Sequence, residues 1–249
     1  MLKQERQDFI LEILDNEERV IASDLSQRLD VSEDTIRRDL KELDSLGLIK
    51  RVHSGALRLG PPVQDFTKRQ DVNKDIKIEL AKKAVEFIKD DMVLVIDSGT
   101  SNLAFVNQLP LNLKATVITN SPPIAMALGS HDDVEVIMLG GTMFKESMVN
   151  LGVETIEALN TIRADMYIMG VHKIDCSIGI SVPSIGEASV KRKMIEVSND
   201  VLSMVTSDKL NTFASHIIAP ANVLTYMITN SKKNDVLAMY ESQQVTVIN

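Results

Sequence analysis

Seven short runs of β-branched and other apolar residues, separated by helical stretches, constrain the fold of this chain most. Apolar runs of this length between helices are typical of strands in a parallel sheet that is covered on both faces. They predict an α/β domain over residues 91–249. The runs are MVLVI at 92–96, ATVI at 115–118, VEVIM at 134–138, MYIM at 166–169, VLSMV at 201–205, YMI at 226–228 and VTVI at 245–248.

The loops after the first five strands are polar or glycine-rich, and together they predict a ligand pocket. The carboxyl ends of parallel strands meet at one edge of the sheet, where ligands bind. Small residues at a helix N-terminus let backbone N–H groups approach an anion, so a phosphate suits the first loop. The predicted ligand-binding residues of these loops are Asp97, Ser98, Gly99, Thr100, Ser101, Thr119, Asn120, Ser121, Gly140, Gly141, His172 and Lys209.

A helix that begins near Glu187 adds two charged residues to this set. It is predicted to run to about Asn199, and Glu187 and Lys191 lie four residues apart on it. This spacing suits a simple surface ion pair. It also allows a binding role, in which Lys191 or Lys209 neutralises a phosphate while Glu187 holds sugar hydroxyls. The sequence leaves both interpretations open.

The stretch 31–47 has the pattern of a DNA-recognition helix. Ser32 is a suitable N-cap and Gly47 a suitable helix end. One face is apolar and consists of Ile36, Leu40 and Leu43. The opposite face is cationic, and in a major groove Arg can bond guanine edges while Lys and Ser contact phosphates. The predicted DNA-contacting residues of this helix are Ser32, Thr35, Arg37, Arg38, Lys41 and Ser45.

Two shorter helices precede the recognition helix. The first covers about residues 3–14, and the second runs from Ser23, its expected N-cap, to about Leu29. The apolar stripe of the first helix consists of Phe9, Ile10, Ile13 and Leu14. Two short helices joined by a tight turn, of which the second is polar outside, predict a helix-turn-helix.

A hairpin completes this N-terminal domain. Two short alternating segments flank Ser54-Gly55, a pattern that predicts a β-hairpin and hence the wing of a winged helix-turn-helix. Arg51 and His53 of this wing are further predicted DNA contacts. Residues 1–60 thus contain two helices, a cationic helix and a cationic hairpin in succession. This succession indicates a winged helix-turn-helix much more specifically than any one of the elements does alone.

Charge limits how such a domain can bind DNA. The whole chain has a formal net charge of −8, and residues 1–60 contain 10 Lys and Arg against 13 Asp and Glu. This balance argues against a nonspecific nucleic-acid coat protein. The cations must therefore be concentrated on one face, binding should be sensitive to salt, and specificity must come from base contacts.

Residues 61–90 are predicted to form a linker and a helix between the two domains. Gly60-Pro61-Pro62 marks the boundary. A helix is expected over about 72–89, and its apolar face consists of Ile76, Leu80, Ala84 and Ile88. That face is too apolar to stay exposed, so it packs either on the second domain or on a partner copy.

Several function classes are disfavoured by what the sequence lacks. No apolar run approaches the roughly 18 residues of a membrane helix, the N-terminus has no signal-peptide core, and the single Cys176 cannot form an internal disulfide. We expect a cytoplasmic protein that does not contact membranes. No metal-ligand spacing or nucleophile–base pair is visible, so no metal, cofactor or catalytic residue is expected.

Both halves resemble the DeoR family of bacterial transcriptional regulators. In the N-terminal half the matching motifs are TIRRDL at 35–40 and KRVHSGA at 50–56; in the C-terminal half they are DSGTS, TNS, LGGT, GEASVKRKMI and the Lys209 segment. The resemblance implies DNA contacts between about Ile21 and Leu40, and a sugar-phosphate sensor domain whose fold is related to ribose-5-phosphate isomerase. The chain departs from the family in having Ser54-Gly55 where two glycines are usual, and Thr206 where the family has Asp after the fifth strand.

The leading functional hypothesis is therefore a repressor of a carbohydrate operon. It would bind double-stranded operator DNA as a homodimer or homotetramer and respond to a phosphorylated sugar. The alternative is a sugar-phosphate isomerase-like enzyme with a DNA-binding appendage, for which Asp97, Glu187 and Lys209 are the acid–base residues. A third reading is an activator, or a regulator that senses an anion other than a sugar phosphate.

Overall fold

The computed structural model describes residues 2–17, 19–46, 48–58 and 65–249. The predicted helix end at Gly47 and the predicted boundary at Gly60-Pro61-Pro62 lie outside the described residues. The described residues form an N-terminal group of helices with a small antiparallel sheet, followed by a C-terminal part built on a parallel sheet. The predicted fold class, a winged helix-turn-helix followed by an α/β domain, is confirmed.

The N-terminal elements pack around one small apolar core. In the described part of residues 2–58, an antiparallel sheet has the strand order β1-β3-β2. Its core contains Ile10, Leu14, Leu25, Ile36, Leu40 and Leu43, all buried. The elements are α1 (Lys3–Glu17), β1 (Arg19–Ile21), α2 (Ala22–Leu29), α3 (Glu33–Ser45), β2 (Ile49–Val52) and β3 (Gly55–Arg58).

Strand β1 was not predicted, and it changes how α2 begins. Ile21 pairs with Gly55, and the chain passes directly from this strand into the helix at Ala22. Ser23 is therefore inside the helix, and its prediction as the N-cap is wrong. The pairing requires a glycine at position 55, because a Cβ there would lie 1.9 Å from the carbonyl oxygen of Val20.

Helix α1 differs from its prediction in length and in one buried position. It continues through Asn16 to Glu17 instead of ending near residue 14. Phe9, predicted to belong to the apolar stripe, has half of its surface exposed (50%), whereas Ile10 and Leu14 are buried.

Helix α3 begins as its sequence predicts. The Ser32 hydroxyl accepts a hydrogen bond from the backbone N–H of Thr35 at 3.3 Å, which satisfies one of the free donors of the first turn. The predicted apolar stripe is buried. The turn before the helix is made by Asp30, which adopts the left-handed conformation with φ of 51°.

A buried ion pair joins α1 to α3. The guanidinium of Arg6 donates to both carboxylate oxygens of Asp39, from Nε at 2.5 Å and from Nη2 at 3.2 Å. The side chains of Arg6 and Asp39 are only 11% and 3% exposed. Asp39 therefore balances a cation inside the domain, whereas Arg38 and Lys41 are exposed.

The segment between the domains contains two helices instead of one. They are α4 (Phe66–Asp71) and α5 (Lys74–Val85), and Asn73 between them adopts the left-handed conformation with φ of 53°. Leu80 and Ala84 of α5 are buried in the apolar layer on one face of the parallel sheet. The sequence left open whether this apolar face packs on the second domain or on a partner copy. In the structure α5 packs on the C-terminal domain of its own chain.

Within residues 65–249 the structure has a seven-stranded parallel sheet with the order β15-β14-β12-β9-β4-β5-β6. All seven predicted strands are present in it. The strands of this part of the chain are β4 (Val93–Ile96), β5 (Ala115–Thr119), β6 (Val134–Met138), β7 (Thr142–Phe144), β8 (Val149–Leu151), β9 (Ala164–Ile168), β10 (Lys173–Asp175), β11 (Gly179–Val182), β12 (Ser198–Val205), β13 (His216–Ala219), β14 (Tyr226–Thr229) and β15 (Thr246–Ile248).

Helices cover both faces of this sheet. Alternate residues of a strand point to opposite faces, so Leu94 and Ile96 belong to one buried layer while Val95 belongs to the other. The helices are α6 (Thr100–Val106), α7 (Pro122–Ala127), α8 (Val153–Leu159), α9 (Ile185–Glu196) and α10 (Asn234–Glu241). Helix α9 ends at Glu196, three residues earlier than predicted, because β12 starts at Ser198. Among the described residues, no helix is long and apolar enough to cross a membrane.

We expect Asp39→Ala to destabilise the N-terminal domain by about 3 kcal/mol, because it leaves the Arg6 guanidinium buried without its partner. Chemical denaturation followed by far-UV circular dichroism measures the change. Asp34→Ala removes the same charge from an exposed position of the same helix, and it should cost less than about 1 kcal/mol. Equal effects of the two substitutions would contradict a structural role for the buried pair.

Candidate functional site

A cavity of about 170 Å³ lies where β4, β9 and β12 end. These strands are neighbours in the sheet, so the loops that follow them are brought together. Eight of the residues predicted from the sequence line the cavity: Ser98, Gly99, Thr100, Ser101, His172, Glu187, Lys191 and Lys209. The expected pocket at the carboxyl edge of the sheet is therefore present, although not every predicted loop contributes to it.

Asp97 lies beneath this cavity instead of lining it. Its carboxylate accepts hydrogen bonds from the backbone N–H of Gly170 at 2.7 Å, from Nδ2 of Asn102 at 2.9 Å, from the Tyr167 hydroxyl and from the Lys191 ammonium. Burial, together with this carboxylate, raises the pKa of Tyr167 well above its usual value. Asp97 thus positions the groups around it.

Lys191 forms its ion pair with Asp97 and not with Glu187, its neighbour one turn away on α9. The ammonium also donates to the carbonyl oxygen of Gly170 at 2.7 Å. Both side chains of α9 are buried, so the surface ion pair considered from the sequence is not what the structure shows. Burial raises the pKa of the Glu187 carboxyl, although Lys191 and a hydrogen bond with Ser147 act in the opposite direction.

The loops after β5 and β6 do not reach the cavity. These strands lie at the side of the sheet, and the β7–β8 hairpin folds over their ends. Two hydrogen bonds join the loop after β5 to the hairpin, from Asn120 Nδ2 to the Asn150 carbonyl and from the Ser121 hydroxyl to the Met148 carbonyl. In the loop after β6, the Gly140 carbonyl accepts a hydrogen bond from the Thr155 hydroxyl of α8. The Asn120 amide nitrogen, the Ser121 hydroxyl and the Gly140 carbonyl therefore serve the fold. Asn120 also lines a small pocket beside Asp97, Glu187 and Lys191, and its Oδ1 is buried without a partner among the described residues. The tip of the hairpin supplies a wall of the larger cavity.

Sequence reasoning missed one whole side of the cavity. Arg69, Asn73 and Lys77 reach it from α4, α5 and the turn between them. Lys77 is buried and donates to the carbonyl oxygen of Arg69 at 2.5 Å. A lysine on the otherwise apolar face of a predicted helix is a signal that could have revealed this contribution.

The position after the fifth predicted strand also belongs to the cavity. Thr206, which stands where the resemblance leads one to expect Asp, is buried and lines it. Asp208 lies at the rim and accepts a hydrogen bond from Asn73 Nδ2 at 3.2 Å. The carboxylate of Asp208, two residues after Thr206, thus contacts the turn between α4 and α5.

The cavity is lined by four cations and three carboxylates, which are Arg69, Lys77, Lys191, Lys209, Glu146, Glu187 and Asp208. Desolvation, together with neighbouring cations, lowers the pKa of Lys77 and of Lys209 to about 8, although the nearby carboxylate of Asp208 acts in the opposite direction on both. Desolvation, with the nearby Lys173, Lys209, Arg69 and Lys191 cations, lowers the pKa of His172 to about 3. The imidazole of His172 is therefore neutral near pH 7, and an anion entering the cavity would relieve repulsion among the cations.

Three buried polar atoms around the cavity have no hydrogen-bond partner among the described residues. They are Nε of Arg69, the hydroxyl oxygen of Ser101 and Nε2 of His172. A buried polar group without a partner costs about 1–3 kcal/mol. Unsatisfied atoms gathered around one cavity are what a site for a polar ligand provides, because the ligand supplies the missing partners.

A second candidate surface lies on α3 and the wing. Arg37, Arg38 and Lys41 are exposed on α3, and Arg51 and His53 are exposed on the wing. Nη2 of Arg37 contacts a carboxylate oxygen of Glu33 at 3.0 Å. The cations of α3 are thus presented to solvent, as a DNA-contacting surface requires.

The hydroxyl groups predicted to join this surface are engaged within α3. Ser32 and Thr35 bond to each other at 2.9 Å, and Ser45 donates to the carbonyl of Glu42 at 2.7 Å. Their contacts with DNA stay a prediction.

Comparison with protein-family models matches both parts of the chain. Residues 72–231 match the DeoR C terminal sensor domain, and residues 6–60 match the DeoR-like helix-turn-helix domain. The chain belongs to the DeoR family. Relatives that match this chain are named as helix-turn-helix transcriptional regulators.

The similar curated proteins align over nearly their whole length. The HTH-type transcriptional regulator GolR of Listeria innocua is 29% identical over 94% of this chain and 92% of its own. The L-fucose operon activator of Escherichia coli K12 is 28% identical over 93% and 97%. Among solved structures, ribose 5-phosphate isomerase A of Methanocaldococcus jannaschii is 19% identical over 55% of each chain, with a TM-score of 0.41.

In this DeoR-family chain, Gly170 is required for the close approach of β4 and β9 at the cavity. A Cβ at position 170 would lie 2.2 Å from the Ser98 carbonyl oxygen and 2.9 Å from Oδ1 of Asp97. We expect Gly170→Ala to lower the free energy of unfolding by about 1–3 kcal/mol, as overpacking does, in chemical denaturation.

Gly140→Ala is the matched control for this substitution, since a Cβ at position 140 meets nothing within 4 Å. It should leave stability within about 0.5 kcal/mol of the wild type. If Gly170→Ala were equally silent, the Ser98 and Gly170 backbones would not be in the tight contact described.

Proposed function

We propose that this chain represses a carbohydrate operon in the cytoplasm and that a phosphorylated sugar bound in the cavity controls it. The observation that carries the proposal is the gathering of Arg69, Lys77, Lys191 and Lys209 around one cavity with unsatisfied polar atoms. The same chain has a winged helix-turn-helix with exposed cations. Anion sensing and DNA binding in one molecule support a ligand-controlled regulator.

The chemistry of the cavity supports a small phosphorylated polyol as the ligand. A water molecule needs roughly 10–15 Å³ of such volume, so about 170 Å³ holds roughly a dozen waters. That space suits a small ligand such as a sugar phosphate. Cations suit the phosphate, whereas Glu187, neutral His172 and the hydroxyls of the 98–101 loop suit sugar hydroxyls.

The proposed assembly is a homodimer or homotetramer on double-stranded operator DNA, because paired half-sites need paired recognition helices. A coupling of about 1–3 kcal/mol between effector and DNA would give useful control. The relatives include both repressors and activators by name. GlcR of Bacillus subtilis is called a repressor, and the Escherichia coli relative is called the L-fucose operon activator. Repression is the sign we propose here.

Substitutions on α3 test the DNA-contact assignment. With an operator selected by the wild-type chain from a random duplex library, Arg38→Ala should weaken binding by about 1–3 kcal/mol if Arg38 reads a base. Lys41→Ala should weaken binding to all sequences alike. It should also reduce, by about 1, the steepness with which the logarithm of the binding constant falls with the logarithm of the salt concentration. Electrophoretic or fluorescence titration at several salt concentrations measures both.

Arg163→Ala is the control, because it removes the same charge from an exposed position of the sensor domain. It should bind the selected operator as the wild type does. Unchanged affinity of the Arg38 and Lys41 variants would place the DNA-contact surface elsewhere.

Thermal unfolding against a panel of sugars and sugar phosphates tests the effector assignment. A ligand specific for the folded state stabilises it by about 2.7 kcal/mol at a hundredfold excess over Kd. We expect stabilisation by one or a few sugar phosphates and not by their free sugars. Lys209→Met should abolish it, whereas Lys232→Met, at an exposed position outside the cavity, should not. A silent panel would contradict the sugar-phosphate proposal.

The same measurement has a pH signature. Lys77 and Lys209 have pKa values of about 8, below the ordinary 10.5, so they lose their charge as the pH rises through 8. A phosphate ester is already mostly dianionic there, and ligand stabilisation should therefore fall. The ligand-free protein should show the opposite trend from these two groups, because between about pH 8 and 10.5 the unfolded chain binds more protons.

A further inference from the structure

Helix α4 connects the cavity with the segment that leads to the DNA-binding domain. Its first residue, Phe66, is buried, and the Phe66 backbone N–H donates to the carbonyl oxygen of Glu146 at 3.0 Å. Glu146 belongs to the tip of the β7–β8 hairpin, which is a wall of the cavity. The helix is thus seated directly against the ligand site.

Arg69 is the residue of α4 that lines the cavity. Its Nε is buried without a partner among the described residues, and its Nη2 has only a long contact of 3.5 Å with the Glu146 carbonyl. The other cation of this segment, Lys77, already donates to the Arg69 carbonyl. A half-buried guanidinium whose buried Nε–H donor has no partner among the described residues is suited to an oxyanion, because its donors form a planar fork.

The remaining cavity cations come from a distant part of the sequence. Lys191 and Lys209 belong to α9 and to the loop after β12, whereas Arg69 and Lys77 precede the first strand of the sheet. Desolvation, with the neighbouring cations, lowers the pKa of Lys77 and Lys209. An anion between the two groups would replace this repulsion with attraction and hold α4 against the strand ends.

The covalent path from α4 to the wing is short. Strand β3 ends at Arg58 and the described chain resumes at Asp65, so seven Cα–Cα steps separate them, which span at most about 25 Å. The position of α4 therefore restricts where the wing can lie.

We propose that Arg69 is a direct ligand of the bound anion and that α4 transmits the occupancy of the cavity to the DNA-binding domain. The inference rests on the proposed function, since it presumes an anion site. It adds a binding residue that lies outside the strand-end loops, on the one segment that joins the two domains.

Inorganic phosphate serves as the probe, with the full-length chain. Isothermal titration measures its affinity, and hydrogen exchange measures the protection of the α4 amides with and without phosphate. We expect Arg69→Gln to weaken phosphate binding about tenfold or more, the usual worth of a hydrogen bond to a charged group. The wild type should gain α4 protection on binding, and Arg69→Gln should not, even at equal occupancy.

Lys68→Gln is the matched control, because Lys68 is an exposed cation on the same helix and does not line the cavity. It should bind phosphate and protect α4 as the wild type does. Arg69→Lys keeps the charge but removes the planar set of guanidinium donors, so it should still weaken phosphate binding severalfold. If Arg69→Gln fails to fold, the Arg69→Lys variant provides the test of direct binding.

Two outcomes would overturn the inference, and they can be told apart. Wild-type affinity in both Arg69 variants, or α4 exchange that phosphate does not alter, would remove Arg69 and α4 from the sensing mechanism while leaving the anion site intact. Failure of the wild type to bind phosphate or any sugar phosphate would overturn the proposed function together with this inference.

Discussion

The buried carboxylate of Asp97 is the group on which the cavity at the carboxyl edge of the sheet depends. It accepts hydrogen bonds from β9 through Tyr167, from the following turn through Gly170, from α6 through Asn102 and from α9 through Lys191. Four separate elements thus meet at one charge at the carboxyl edge of the sheet. A buried carboxylate is tolerated only when it is paired and hydrogen-bonded, so these elements are held in one arrangement. The positions of the cavity walls depend on that arrangement.

The same principle applies to one buried carboxylate in each of the two domains. Asp39 pairs with Arg6 inside the N-terminal domain, and Asp97 pairs with Lys191 below the cavity. Each of these two pairs is neutral, so together they leave the net charge of −8 unchanged. Arg38 and Lys41 stay exposed on α3, and Arg69 keeps an unused donor at the cavity. Net charge alone describes neither surface, because attraction of an anion depends on the local arrangement of charges.

The cavity and the DNA-binding domain are linked by the way in which the site is assembled. A site built only from strand-end loops would have no direct connection to the N-terminal domain. Here the segment 65–77 contributes a side of the cavity and is also the continuation of the linker. Two sites are coupled when ligand binding favours one arrangement of an element that both sites share. Helix α4 is placed to be such an element.

The sequence by itself determined the fold class, the seven parallel strands, the N-cap of α3 and the presence of a polar pocket after the strands, because each leaves a pattern within a few neighbouring residues. Tertiary structure alone decided that β1 pairs with β3, that the β7–β8 hairpin covers the loops at 119–121 and 140–141, and that Lys191 pairs with Asp97. It also decided that Arg69 and Lys77 face the cavity. These features depend on which distant segments meet, and periodicity along the chain contains no information about that.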